Sequence, residues 1–222
     1  KNYVTLPEAK DYKRIGENDT GPNTGVMGAV SPVKFADADF MEKVNKKIIE
    51  PTVKGLQSEG IDYRGFIFIG LMNVNGDPYV IEYNVRMGDP ETQVVIPRIQ
   101  NDLIELLVKA ADGKLSNYSL KIIDAYATTV VMVSDGYPGS YERGKSIQGL
   151  ADVTNALVVH AGTKQADYEV LTNGGRVLSV TGIGDSLTEA LEASYHGVKS
   201  IQWQGAYYRK DIGKDILRLQ QD

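Results

Sequence analysis

The chain has 222 residues, 42% hydrophobic and 24% charged, with a formal net charge of −5; that is one large or two small globular domains with a sizeable core. The negative balance disfavours a broad nucleic-acid surface but leaves room for a local basic pocket, and the absence of cysteine excludes disulfides, thiolate nucleophiles and cysteine zinc sites. No apolar run reaches the ~20 residues that span a membrane, and the opening KNYVTLPEAK is not a signal peptide.

The first stretch, KDYKRIGENDTGPNTGVMGAVS (10–31), is polar and rich in glycine and reads as a long loop. Loops of that length usually have a function. Residues 39–58 follow a helical pattern, with Phe40, Val44, Ile48 and Leu56 on one face. Pro51 is expected to kink or break that helix. An apolar strand follows over 65–73, and Asn75-Gly76 between two apolar runs predicts a hairpin. The return strand is YVIEYNVRMGDPETQ (79–93). Asp89 is positioned to cap the next helix with Pro90 in its first turn. Pro97 interrupts that helix. Asp102 restarts it, with Glu105 three residues on and Gly113 as a stop. GKLSNYSLKII (113–123) is a candidate boundary, which divides the chain into 1–118 and 119–222.

The second part reads as a small α+β unit. Strands are predicted over 127–134 and 156–161, with the turn DGYPGS after the first. YEVLTNGGRVLSVTG predicts a hairpin about Asn173-Gly174-Gly175. Residues 186–200 form an amphipathic helix opened by a Ser186/Glu189 capping box. The only histidines, His160 and His196, read as structural or surface residues. Trp203, Tyr207 and Tyr208 read as packing, and RKDIG (209–213) is a candidate to meet another domain.

The chemistry concentrates in the return strand. Side chains on a strand alternate faces, so Ile81, Tyr83 and Val85 can bury on one side while Glu82, Asn84 and Arg86 share the other. Two oxygen donors so spaced can hold one hard cation, and Mg²⁺ is commonly bound by one or two carboxylates together with substrate phosphates. Arg86 can meet phosphate or carboxylate oxygens with its planar fork. By residue type alone, a solvated Glu–Arg pair on a sheet face is an equal alternative.

EYNVRMGDPETQ (82–93) resembles the metal-binding strand and following turn of the glycinamide ribonucleotide synthetases, the phosphoribosylamine–glycine ligases. DTGPNTGVMGAVSP (19–32) resembles their glycine-rich substrate loop. VVHAGTK, TNGGRVLSVT and YYRKDIG resemble successive blocks of their C-terminal domain. The blocks occur in family order over nearly the whole chain. Val26 and Met87 depart from the family pattern, which has a second Gly in the loop and Phe or Leu after the Arg; Val26 restricts access to positive φ, and Met87 conserves volume.

The resemblance implies an α+β chain: the C-terminal part of an ATP-grasp fold, an antiparallel sheet with helices, over 1–118, and a small α+β domain over 119–222. It implies ATP-dependent joining of glycine to 5-phosphoribosylamine through an acyl phosphate, in purine synthesis in the cytoplasm. Glu82 and Asn84 would hold Mg²⁺ or Mn²⁺ on ATP, and Arg86 would stabilise the anionic acyl phosphate. Asp19, Asn23, Thr24, Gly25, Met27 and Gly28 would contact the ribonucleotide or glycine, largely through backbone N–H groups. Asp89, Glu91 and Thr92 would orient substrate, with a plain helix cap as the alternative for Asp89. Lys13 and Arg14 would add positive charge for a phosphate. The expected partners are these small molecules and an N-terminal half of the same protein; the chain alone is expected to be inactive. The rival expectation is a non-catalytic scaffold derived from such a ligase.

Overall fold

A computed structural model describes residues 2–219. The glycine-rich start contains β1 (Lys10–Asp11), β2 (Arg14–Gly16), β3 (Thr20–Asn23) and β4 (Gly28–Ser31). Helices α1 (Ala38–Val44) and α2 (Glu50–Ser58) precede β5 (Phe68–Val74) and β6 (Asp77–Asn84). Then come α3 (Thr92–Val95), α4 (Leu103–Ala111), β7 (Tyr126–Ser134), β8 (Leu157–His160), β9 (Thr163–Ala166) and β10 (Glu169–Thr172). The chain closes with β11 (Arg176–Gly184), α5 (Leu187–Ser200), β12 (Ala206–Tyr207) and α6 (Lys214–Leu219).

These elements form two compact units that interleave along the chain. The first comprises residues 1–6, 33–88 and 99–122; the second comprises 7–32, 89–98 and 123–222.

In the first unit, Asp37 caps α1 by accepting the Phe40 N–H at 2.8 Å, and Phe40, Val44 and Ile48 are buried. Pro51, expected to kink or break the helix, does not end it but follows a local departure from α-helical winding. Residues 45–49 widen into a π-turn, and the Glu50 N–H bonds back to Asn45 O. Pro51, which has no N–H to give, directly follows this stretch in the first turn of α2. The β5–β6 hairpin forms at Asn75-Gly76 as predicted, with φ of 52° and 82°, the left-handed pair that a two-residue hairpin turn requires. Ile81, Tyr83 and Val85 do not bury: they are 56%, 50% and 75% exposed. The hairpin is a two-stranded sheet, and Tyr83 meets α2 through its hydroxyl end, with Oη 2.9 Å from Thr52 Oγ1. Asp102 caps α4 through the Glu105 N–H at 2.8 Å, and Gly113 ends it at φ 68°.

In the second unit an antiparallel sheet runs β1-β4-β7-β11-β8, with β12 also paired to β7. Central β7 is buried along nearly its whole length, which suits its unbroken run of Val, Thr and Met. The 10–31 segment is therefore not a structureless loop: it supplies two strands of this sheet and the β2–β3 hairpin. Its glycines serve close approach; a Cβ on Gly28 would meet Thr129 O at 2.7 Å. Helix α5, opened by the predicted capping box, packs on β7 and β11. Thr128 Oγ1 donates to Ala190 O at 2.9 Å, and a Cβ on Gly182 would lie 2.2 Å from that carbonyl.

The predicted hairpin about 173–175 is not formed. Strand β10 pairs with β9 across Asp167-Tyr168, while β11 pairs with β7 and β8. Gly174 instead lets the chain pass against Gly162, where an added Cβ would stand 2.6 Å from Gly174 Cα. His160 is exposed at the end of β8, with Nδ1 3.0 Å from Thr163 Oγ1; His196 is an exposed residue of α5. Among the described residues no helix is long and apolar enough to cross a membrane.

Candidate functional site

In the first unit, β6 brings Glu82 and Asn84 to one side of the hairpin. Glu82 pairs with Gly70 and Asn84 with Phe68. Between the Gly70–Glu82 and Leu71–Val80 pairs β6 carries one extra residue, Ile81. Such a bulge bends a strand and re-aims its side chains; no pattern in the sequence announced it. Gly70 matters for space, since a Cβ there would press on Glu82 Cγ at 3.0 Å. The Glu82 side chain is exposed. Among the described residues no ion pair engages its carboxylate.

Arg86 lies in a bend beyond the end of β6. Its Nη2 donates to Asn84 Oδ1 at 3.3 Å and its Nη1 to Met87 O at 2.9 Å. A carboxylate oxygen, an amide oxygen and a guanidinium thus stand together on one short stretch. The two oxygens are hard donors of the kind that Mg²⁺ and Mn²⁺ take. No cluster of three or more His, Asp or Glu able to hold a metal occurs among the described residues, so a cation here would need further oxygens from a ligand.

In the second unit, the glycine-rich loop is held from within. Thr24 donates both its N–H and its Oγ1 to Lys13 O, each at 2.8 Å. The Gly25 N–H donates to Tyr137 Oη at 2.8 Å, the Val26 N–H to Thr24 Oγ1 at 3.0 Å, and the Met27 N–H to Tyr12 O at 2.7 Å. The expectation that these N–H groups face a ligand is therefore corrected for Thr24, Gly25 and Met27: each already has a protein acceptor. Met27 is further corrected by its side chain, 0% exposed in a core cluster with Val131 and Val133. Gly28 enters β4, and Asn23 ends β3 with its side chain exposed. Val26 takes φ 82°, the left-handed conformation its branched side chain disfavours.

Lys13 pairs with Asp11. Arg14 spans the β2–β3 hairpin, with Nη1 donating to Gly21 O at 2.8 Å. Asp19 turns its carboxylate onto Arg209, 2.7 Å away.

Asp89 is not a helix cap; Glu91 holds the N-cap position of α3. The Asp89 carboxylate takes both η nitrogens of Arg176, at 2.8 and 3.2 Å. The Arg176 Nε lies 3.2 Å from where a Cβ on Gly25 would be, so glycine at 25 is what admits the guanidinium. Gly25, Asp89, Tyr137 and Arg176 thus form one cluster. Glu91 is buried. Burial holds its carboxyl above the ordinary range, and the charges of Asp11 and Asp89 push the same way against Lys13 and its own N–H. Thr92 follows as the first residue of α3.

Sequence reasoning missed Arg176, Tyr137 and Arg209. Each reaches a residue far away in sequence, Arg176 to Asp89, Tyr137 to Gly25 and Arg209 to Asp19, and the only signal was that Arg176 and Arg209 fall in motif-like blocks. The RKDIG segment turns onto its own unit, with Arg209 1% exposed.

Comparison with known proteins adds the following. The family model described as phosphoribosylglycinamide synthetase, ATP-grasp (A) domain, matches residues 1–92; that described as phosphoribosylglycinamide synthetase, C domain, matches 127–215. Phosphoribosylamine–glycine ligase of Chlorobaculum tepidum is 45% identical over 220 residues, 98% of this chain and 52% of that protein. The protein of the same name from Nostoc sp. is 47% identical, over 94% of this chain and 50% of its own length. The crystal structure of phosphoribosylamine–glycine ligase from Thermotoga maritima matches with a TM-score of 0.84 at 36% identity, covering 93% of this chain and 51% of that one. The chain spans about half the length of the curated relatives it matches.

Proposed function

The chain belongs to the phosphoribosylglycinamide synthetase family, with an α+β, ATP-grasp-like fold, and from that premise we propose that it is the C-terminal half of a ligase joining glycine to 5-phosphoribosylamine at the expense of ATP. The observation that carries this reading is the group formed by Glu82 and Asn84 on β6 and Arg86 in the bend just after it, with the Glu82 carboxylate free of any ion pair among the described residues. A scaffold has no use for an exposed carboxylate, amide and guanidinium arranged in this way. The sequence division at 118/119 is proposed as the boundary between the stretches that the two family models match, which end at 92 and start at 127; it does not divide the chain into compact units, because residues 7–32 and 89–98 pack with 123–222.

A carboxylate is a poor electrophile until one of its oxygens is phosphorylated. In the proposed reaction the γ-phosphoryl group of ATP passes to a glycine carboxylate oxygen and ADP leaves. The ribosylamine nitrogen then attacks the acyl carbon and phosphate departs, giving glycinamide ribonucleotide. Phosphoryl transfer depends on alignment and charge neutralisation more than on covalent catalysis. Mg²⁺ or Mn²⁺ would supply part of that neutralisation when bound, held by Glu82 and Asn84. Arg86 stabilises negative charge on the transferred group. Asn23 and the surface around Gly25 contact the acceptor substrates, while Asp89, Glu91 and Thr92 orient them from the start of α3. Lys13 and Arg14 add positive potential for a phosphate. A cytoplasmic place of action is part of the proposal, supported by a chain without cysteine.

The test is ADP release that depends on both glycine and 5-phosphoribosylamine, using the protein at the full length of its relatives. Glu82→Gln should lower Mg²⁺-dependent turnover by about tenfold or more. Release of ADP without either acceptor, or an unchanged Mg²⁺ dependence in Glu82→Gln, would overturn the assignment.

A further inference from the structure

Arg209 is the largest fully buried side chain of the second unit and carries a full charge. A charge in that position needs partners, and it has them on every side. Its Nε and Nη2 make a two-bond fork to the Asp211 carboxylate, each bond 2.8 Å. Its Nη1 donates to Asp19 Oδ1 at 2.7 Å and to Arg14 O at 3.0 Å. Its guanidinium lies 5.3 Å from the centroid of the Tyr12 ring. Burial works against the charged form, yet the Asp211 and Asp19 carboxylates outweigh it and hold the guanidinium protonated.

The contacts around Arg209 repeat one pattern: residues 207–215 grip residues 12–19. Tyr207 Oη donates to Ile15 O at 2.9 Å. Asp211 Oδ2 accepts the Asn18 N–H at 2.7 Å. Tyr12 Oη donates to Asp215 at 2.6 Å and accepts the Gly213 N–H at 3.0 Å. The gripped tip is an unusual piece of backbone. Asn18 and Asp19 are consecutive non-glycine residues with φ of 54° and 53°, a conformation rarely adopted twice running. Asp211 and Arg209 bond these two residues. From Asp19 the chain passes directly into β3 and then into the loop at Thr24 and Gly25. The carboxylate of Asp19 is thus engaged on the side of the C-terminal segment.

We infer that Arg209 is a positioning residue for the acceptor-substrate loop: acting through Asp19, the Arg14 carbonyl and Asp211, it fixes the tip of the β2–β3 hairpin, and with it the placement of residues 23–25. The inference rests on the ligase reading above and assigns Asp19 a new task, anchoring the loop rather than touching substrate. Arg209 touches no substrate itself. Its loss therefore shows as weaker binding of the ligand that the loop holds, and not as a slower chemical step once that ligand is bound.

The test uses the full-length protein and steady-state kinetics in glycine, 5-phosphoribosylamine and Mg-ATP separately. Asp19→Asn keeps the shape and removes the ionic contact. Arg209→Lys keeps the charge and loses the fork. Tyr207→Phe removes only the bond to Ile15 O and serves as the mild variant should Arg209→Lys unfold. Each should raise KM for glycine or 5-phosphoribosylamine, by about tenfold for Asp19→Asn and Arg209→Lys and about threefold for Tyr207→Phe. The KM for ATP and kcat should stay within about twofold. The Asp19→Asn/Arg209→Lys double variant should be no worse than Arg209→Lys alone, since both act through one contact. Multiplicative effects in the double variant would mean that Asp19 meets substrate on its own and would overturn the inference. Unchanged acceptor KM in Asp19→Asn and Tyr207→Phe would overturn it too, as would a fall in kcat alone. A wild-type protein with no glycine- and ribosylamine-dependent ADP release overturns the ligase reading first, and the inference with it; an active wild type with indifferent variants overturns the inference only.

Discussion

Replacing Met27 separates a core role from a ligand-contacting role. Its side chain is fully buried against Val131 and Val133, with Ile15 and Tyr137 packed on the same cluster. Met27→Ala removes the Cγ, Sδ and Cε atoms. At ~0.8 kcal/mol for each methylene-sized group the transfer term alone is about 2.4 kcal/mol, and the cavity left behind places the whole effect at about 3 kcal/mol, within the usual range for such changes. Met27→Leu keeps the volume and should cost less than ~1.5 kcal/mol. The reporter is built in: the single tryptophan, Trp203, is buried in the second unit, the one that holds Met27. Its fluorescence during urea unfolding of the 222-residue chain follows that unit. With a slope of about 2 kcal/mol per molar urea, Met27→Ala should lower the midpoint by about 1.5 M. A midpoint within ~0.3 M of wild type, with acceptor KM raised in the full-length enzyme, would show that the side chain faces ligand and that the packing argument is wrong.

Two further outcomes follow from the second unit. Val26 sits at φ 82° with its side chain buried, so Val26→Ala loses methyl groups and keeps the strained backbone, whereas Val26→Gly relieves ~1–2 kcal/mol of it; the glycine variant should be at least as stable as the alanine variant by urea midpoint, and a clearly less stable glycine variant would deny the strain. Burial by itself would raise the Asp211 carboxyl, but the Arg209 guanidinium and the Asn18 N–H hold it below the ordinary aspartate value of 3.8. A folded-state value below the unfolded one adds stability above pH ~4 that is lost as pH falls through the folded value. Asp211→Asn should therefore flatten the acid limb of a Trp203-monitored pH titration, and an acid limb as steep as wild type would remove Asp211 from that account.

What the sequence displayed was local chemistry. Asn75-Gly76 specified its hairpin, Ser186 and Glu189 opened α5, and Asp102 and Gly113 bounded α4, because each signal acts over a few residues. What it concealed depends on distant partners. Asp89 looked like a helix cap because nothing nearby disclosed Arg176, 87 positions on. Residues 10–31 looked like a loop because their strands pair with β7 and with one another, not with an obvious neighbour. Asn173-Gly174-Gly175 carried a turn signature, but Gly174 answers a backbone crossing and Gly175 makes room for the Tyr137 ring. In the candidate site, Glu82 and Asn84 followed from strand alternation. The bulge at Ile81, the bend that carries Arg86 off the strand and the grip of Arg209 on Asp19 did not.

The crossing of Gly162 and Gly174 has a consequence for how this sequence can drift over generations. A side chain at 162 would collide with the backbone at 174, and one at 174 would stand 2.9 Å from Gly162 Cα. Neither position can relax by a compensating change at the other, because both are already as small as an amino acid can be. Gly55, by contrast, has open space around an added Cβ and is free to become alanine. The pair at 162 and 174 is thus inherited as one character, and a lineage that loses either glycine has to rebuild the path between β8 and β11.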